Sequence, residues 1–264
     1  MSHELEGKVY FITGVANKKS VATHTAKALI EKGASCIFSA QHADNLAQIN
    51  KIFPDSPAFI MDVANKADIE ALKDNVSKYT KELAGILHSI AFARFDLPPK
   101  PFHETPREYF LEAAQISSFS LVEIANSLKD LMAKDASVVT ISISNTKATS
   151  YGYLGPIKAM LENTVCYLAK SFSDFSNIRF NSVGAGPLKT SASAGIPDYV
   201  DNYLFSEELT MRKKNLATSE VANSAAFLLS YLSSGINAQN IIVDAGMSSN
   251  YFDQKVVKTY AQNR

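Results

Sequence analysis

The sequence predicts an α/β protein in which a parallel sheet is covered by helices on both faces. Three observations carry that prediction. Short apolar runs alternate with stretches of helical spacing along the whole chain. The strand candidates read as continuous apolar runs, as strands buried on both faces do. A helical stretch separates every strand candidate from the next, which is the crossover that parallel neighbours require.

Taken in order, Val9 to Thr13 is an apolar run between Gly7 and Gly14, and Val21, Ala22, Ala26, Leu29 and Ile30 then recur at helical spacing up to Gly33. Ser35 to Ser39 is strand, Asp44 to Ile52 helix, Ala58 to Met61 strand, Lys66 to Tyr79 helix and Ile86 to Ala91 strand. A long helical stretch from Pro106 to Met132 leads to the strand Ser137 to Ile143. Gly155 to Phe172 is helical, with Pro156 in the first turn, where a proline is tolerated. Ile178 to Val183 is the sixth strand. From Gly184 to Asn215 the pattern loosens around Gly184, Gly186, Pro187, Gly195 and Pro197, as it does in a binding loop or lid. Ser219 to Leu232 returns to helix, Ile241 to Asp244 to strand, and the residues after Gly246 read as a frayed polar tail. The expected architecture is a Rossmann-like doubly wound sheet of seven parallel strands in a single domain, residues 1–264, with a substrate-binding loop at about 189–215.

Composition narrows the function classes. The 264 residues carry 26 Lys+Arg and 26 Asp+Glu, a formal net charge of zero, which lacks the electrostatic footprint of a dedicated nucleic-acid binder. With 46% hydrophobic and 20% charged residues, disorder, collagen-like repeats and coiled coil are excluded. Cys36 and Cys166 lie in apolar stretches without metal-ligand spacing, so two buried thiols are expected, and no metal. Met1 to Lys18 lacks a signal-peptide pattern and no stretch approaches the roughly 20 apolar residues of a membrane span, so a cytoplasmic protein is expected.

In a doubly wound sheet the first strand-to-helix turn presents backbone N–H groups to a pyrophosphate. Here it reads Gly14-Val15-Ala16-Asn17-Lys18-Lys19-Ser20-Val21-Ala22, with Gly14 as its only glycine, so either a phosphate cradle or an ordinary tight turn fits. Ser20 either bonds phosphate or caps the helix, and Asp62 beside Val63 either meets an adenine edge or caps the next helix. The second strand ends Ser39-Ala40-Gln41-His42, and no Lys or Arg occurs between Gly33 and Lys51 to take a 2′-phosphate, which favours NADH over NADPH.

Tyr151 and Lys158 stand seven positions apart, two helical turns, and can face one cleft. A phenol with a pKa near 10 beside an ammonium is drawn toward phenolate and serves as a proton donor to developing oxyanion charge. The plain alternative is two amphipathic side chains at a helix start.

The chain resembles a known family. Thr13 to Ala22, the strand end His88-Ser89-Ile90-Ala91-Phe92-Ala93, Ile116-Ser117-Ser118-Phe119-Ser120, Tyr151 with Lys158, Ala185-Gly186-Pro187-Leu188-Lys189-Thr190, Asn223-Ser224-Ala225-Ala226-Phe227-Leu228 and Val243-Asp244-Ala245-Gly246 look like the bacterial NADH-dependent enoyl-acyl carrier protein reductases. These form a divergent branch of the short-chain dehydrogenase/reductases. The branch spaces its Tyr and Lys seven apart, as here, where short-chain dehydrogenases at large use four. The matches run in family order from about Leu5 to Gly246.

The resemblance implies hydride transfer from NADH to the β-carbon of a 2-enoyl thioester, with the enolate oxygen held by Tyr151 and the nicotinamide ribose by Lys158. It places Gly14, Ser20 and Val21 at the pyrophosphate, Gln41 at the adenosine ribose, Asp62 and Val63 at the adenine, Ile90 at the cofactor's middle, and Leu188 and Thr190 at its nicotinamide end. It puts Ala93 on the acyl path and makes Ser191 to Phe205 a substrate loop whose Ala194, Ile196, Tyr199, Tyr203 and Phe205 would cover an acyl chain. Tyr153 is a candidate pocket residue, and Arg212, Lys213 and Lys214 are candidate contacts to an acidic acyl carrier protein. The implied assembly is a homotetramer packed through the long helices.

One departure stands out. The family's second Tyr, ten positions before the catalytic one at the end of the fifth strand, is replaced here, where Thr140-Ile141-Ser142-Ile143 fills that strand. The connection Ser144 to Ser150 is about two residues shorter when Ile143 is matched to the missing Tyr. Three readings follow: an enoyl-thioester reductase, a carbonyl or other double-bond reductase on the same scaffold, and an NAD(H)-binding protein without catalysis.

Overall fold

The computed structural model describes residues 5–95, 100–190 and 199–262. Its first half alternates strand and helix: β1 (Val9–Ile12), α1 (Val21–Ile30), β2 (Ser35–Ala40), α2 (Ala43–Ile52), β3 (Ala58–Ile60), α3 (Lys66–Glu70), α4 (Leu72–Ser77) and β4 (Leu83–His88). The second half holds α5 (Arg107–Ala114), a π-helical turn (Gln115–Phe119), α6 (Ser120–Leu128), β5 (Met132–Ile143), a 3-10 turn (Thr149–Tyr151), α7 (Leu154–Ser173) and β6 (Arg179–Ala185), then α8 (Tyr199–Leu209), α9 (Thr218–Leu229), β7 (Asn240–Val243) and α10 (Gln254–Gln262).

The seven strands form one sheet in the order β3-β2-β1-β4-β5-β6-β7, every neighbouring pair parallel. The order reverses between β1 and β4, and at that switch point the carboxyl ends of the strands open a crevice. The two-residue period of the strands divides the core between the faces. Tyr10, Ile12, Cys36, Phe38, Leu87 and Val139 pack under α1, α2 and α9. Phe11, Ile37, Ile86, Val138 and Phe180 pack under α4, α6 and α7. Both sets are almost fully buried, which is why the strands read as unbroken apolar runs.

Several boundaries differ from the sequence expectation, each for a local reason. The helix expected from Lys66 to Tyr79 is divided at Ala71 into α3 and α4. β4 ends at His88 because Thr13 Oγ1 takes the Ser89 N–H (3.2 Å) and Ser117 Oγ takes the Phe92 N–H (2.8 Å), pulling the chain out of the ladder. β5 begins early, with Met132 opposite Leu83 and a register shift before Ser137 meets Gly85. The expected long helix therefore stops at Leu128, and its expected last residue, Met132, is already strand. α8 forms inside the stretch expected to be loose, and the supposed frayed tail contains α10. Of the two thiols expected to be buried only Cys36 is; Cys166 is exposed on α7.

Arg179 at the start of β6 is buried, and its guanidinium donates to the carbonyls of Ser233, Ile236, Leu228 and Ser230 at 2.9 to 3.2 Å. A cation thus closes the carboxyl end of α9, where helix carbonyls lack partners and the dipole is negative.

Candidate active site

The crevice is built first by Gly14, which leaves β1 with φ +83°. A Cβ there would lie 1.9 Å from the Ser89 carbonyl oxygen, so glycine alone lets the first turn sit against the end of β4. Thr13 Oγ1 joins the same two strand ends through Leu87 O at 3.1 Å. Ser20 caps α1: its Oγ accepts the Thr23 N–H (3.3 Å) and lies 3.0 Å from Asn17 O. Val21 is buried behind it. Gln41 is exposed just past β2, and Val63 is buried just past β3. Asp62 accepts the Ala64 N–H (3.0 Å), a turn-capping geometry. Ile90 and Ala93 line the irregular segment beyond β4, while Leu188 and Thr190 follow β6. All of these positions fall at one edge of the sheet, and the cradle at Gly14 fits the close approach of a dinucleotide backbone.

Tyr151 closes the 3-10 turn ahead of α7, and Lys158 lies in the second turn of that helix. Gly152 between Tyr151 and Tyr153 has φ 60° and ψ −150°, a conformation essentially restricted to glycine. The Tyr151 hydroxyl has no hydrogen-bond partner among the described residues, and burial, with Tyr199 nearby, raises its pKa to about 12. The expectation that Lys158 draws this phenol toward phenolate is corrected by the structure. The Lys158 ammonium is buried and donates to the Ile141 carbonyl at 2.8 Å, and desolvation lowers its own pKa to about 8. The phenol therefore stays protonated, which suits a hydrogen-bond or proton donor. His88 is fully buried between Thr140 Oγ1 (2.8 Å) and Ser120 Oγ (2.9 Å), and burial keeps it neutral.

Tyr153 is tied to the segment beyond β4 and packs beside Ala93. Its hydroxyl donates to Arg94 O (2.6 Å) and accepts the Arg94 N–H (2.8 Å), while its ring packs near Phe95 and Phe110. It fixes the segment that carries Ala93 and is not available as a free pocket phenol. Tyr199 makes the same kind of clamp on Leu188, at 2.8 Å from both its N–H and its carbonyl oxygen. Ile196, like the rest of 191–198, lies outside the described residues. In the basic run, Arg212 pairs with both carboxylate oxygens of Glu220 at 2.6 Å and Lys213 pairs with Asp253. Only Lys214 of the three forms no ion pair among the described residues. The sequence reading missed Glu162, one helical turn beyond Lys158, whose Oε1 accepts a 2.6 Å hydrogen bond from Ser142 Oγ. The four-residue spacing from Lys158 was the available signal.

A parallel sheet reversing at β1 and β4, a glycine turn against the switch point and a Tyr/Lys pair at the mouth of α7 define a dinucleotide-dependent oxidoreductase of the short-chain dehydrogenase/reductase type. Comparison with known proteins is more specific. The family model described as Enoyl-(Acyl carrier protein) reductase matches residues 14–248. The chain is 35% identical to the NADPH-type enoyl-[acyl-carrier-protein] reductase FabI of Staphylococcus aureus strain MRSA252, over 92% of this chain and 97% of that protein. It is also 35% identical to the NADH-type FabI of Enterococcus faecalis, over 92% and 98% of the two chains. The crystal structure of the NADH enoyl-[acyl-carrier-protein] reductase of Aquifex aeolicus VF5 superposes with a TM-score of 0.88 at 31% identity, covering 92% of this chain and 97% of that one. The chain belongs to the enoyl-acyl carrier protein reductase family.

Proposed function

We propose that this protein is an NADH-dependent reductase of 2-enoyl thioesters, acting in fatty acid or related acyl biosynthesis. The observation that carries the reading is Tyr151: a protonated phenol with an uncommitted hydroxyl, at the carboxyl edge of the sheet, two turns from a buried Lys. NADH, when bound, supplies a hydride for the β-carbon of the unsaturated acyl group. Tyr151 donates to the oxygen that gains charge as the thioester becomes an enolate, and the partial burial of the site strengthens that hydrogen bond. Lys158 holds the nicotinamide ribose. Gly14, Ser20 and Val21 hold the pyrophosphate through the start of α1, where the Ser20 side chain caps the helix. Gln41 takes the adenosine ribose, Asp62 and Val63 the adenine, Ile90 the cofactor's middle, and Leu188 and Thr190 the nicotinamide end. Ala93 and Tyr199 border the acyl path, and Ile196 is assigned to it from the sequence.

NADH is favoured over NADPH because the end of β2 offers Gln41 and His42 and no Lys or Arg before Lys51 to neutralise a 2′-phosphate. The acyl group is carried on acyl carrier protein, which meets the surface around Lys214. The chain works as one cytoplasmic domain assembled into a homotetramer; no described helix is long and apolar enough to cross a membrane. The test is consumption of NADH and of NADPH with a panel of 2-enoyl thioesters on acyl carrier protein and on coenzyme A. Faster oxidation of NADH with an enoyl thioester than with any ketone supports the reading. Oxidation with ketones only would assign a carbonyl reductase, and binding without oxidation a non-catalytic protein.

A further inference from the structure

Lys158 is an unusual place for a charge. Its residue is 5% exposed, it sits on a helix packed against β5, and its only hydrogen bond among the described residues is to the carbonyl of Ile141. An isolated buried ammonium tends to shed its proton. One turn further along α7, Glu162 is half-buried, and its Oε1 accepts a 2.6 Å hydrogen bond from Ser142 Oγ, the residue next to Ile141. Two adjacent residues of β5 therefore fix two side chains of α7 that are four positions apart, neighbours on one helix face. Among the ionisable groups around Lys158, His88 is neutral and Tyr151 remains a phenol, so Glu162 is the group that opposes the ammonium's desolvation. The same desolvation raises the Glu162 pKa, and the Ser142 hydrogen bond and Lys158 counter it.

We propose that Glu162, held by Ser142, is a positioning residue for the reaction: it keeps Lys158 charged and seated on β5, so that the ammonium is ready for the cofactor ribose. Its role runs through Lys158, and it need not touch cofactor or substrate. The proposal rests on the assignment of Lys158 to the cofactor, and the test separates the two.

The direct test follows the Lys158 Cε resonance in the free protein by 13C-lysine NMR across pH, with the signal assigned by its loss in Lys158→Met. In Glu162→Gln, which keeps the shape and a hydrogen-bonding group, the Lys158 titration midpoint falls by about one pH unit or more, the size expected on losing a close opposite charge. Glu162→Asp, which keeps the charge, stays nearer the wild-type midpoint. In parallel, NADH affinity by fluorescence loses its alkaline limb at a correspondingly lower pH in Glu162→Gln, while the two proteins converge in acid. An unchanged midpoint in folded Glu162→Gln overturns the proposal even when NADH binds normally. A shifted midpoint with no NADH binding in the wild type upholds the Glu162 role and overturns the cofactor assignment instead.

Discussion

Tyr151 and Lys158 carry two opposite electrostatic states. Burial holds the phenol protonated and pushes the ammonium toward losing its proton. Tyr151→Phe is expected to lower turnover tenfold or more, within the roughly 10²–10⁴-fold range of positioned acid–base groups, while NADH affinity changes less than about twofold. Steady-state kinetics and fluorescence titration check both. For Lys158 the folded pKa, about 8, lies below the ordinary lysine value, so the charge is present below pH 8 and lost as pH rises through it. NADH affinity should accordingly fall above about pH 8, and Lys158→Met should weaken binding about tenfold or more and abolish that pH dependence. This pair was legible in the sequence because its information is local, a spacing along one helix. The Ser142–Glu162 contact joins a strand to a helix across twenty positions, and nothing in either segment announces it. The same holds for the phenols of Tyr153 and Tyr199, which spacing alone cannot distinguish from pocket groups and which the fold commits to backbone clamps.

At the scale of elements, the alternation of strands and helices was readable because buried parallel strands are apolar throughout. The boundaries that moved did so under contacts from elsewhere in the chain, such as the hydroxyls of Thr13 and Ser117 that end β4. The basic run at 212–214 looked like a docking patch because a sequence shows charges without their partners. In the fold it braces the segment after α8, Arg212 against Glu220 of α9 and Lys213 against Asp253 ahead of α10. Glu220 also accepts the Ala217 N–H at 2.8 Å, and its pKa is lowered to about 2, chiefly by the Arg212 hydrogen bond. Its stabilising contribution is therefore complete above the ordinary carboxylate range and lost as pH falls toward 2. Glu220→Gln should unfold at a lower temperature than wild type at pH 7, with the gap narrowing in acid, as calorimetry would show. Arg179 predicts a larger effect. Arg179→Met removes four charge-assisted hydrogen bonds to carbonyls that each keep another donor, and should cost about 2 kcal/mol, measured by denaturant unfolding.

For the whole molecule, the sheet order sets where chemistry can occur: the carboxyl edge at the β1/β4 switch combines a glycine turn with the Tyr/Lys pair. The family assignment points to reduction of an enoyl thioester, and with Ile143 matched to the family's second tyrosine the destination of the hydride is the central question. The measurement that addresses it is mass spectrometry of the product formed with NADH doubly deuterated at C4 of the nicotinamide and a 2-enoyl thioester. The account predicts a saturated acyl thioester carrying one deuterium on its β-carbon, formed much more slowly by Tyr151→Phe. Deuterium on the former carbonyl carbon, in an alcohol or aldehyde product, or an acyl chain returned unsaturated and unlabelled, would contradict it.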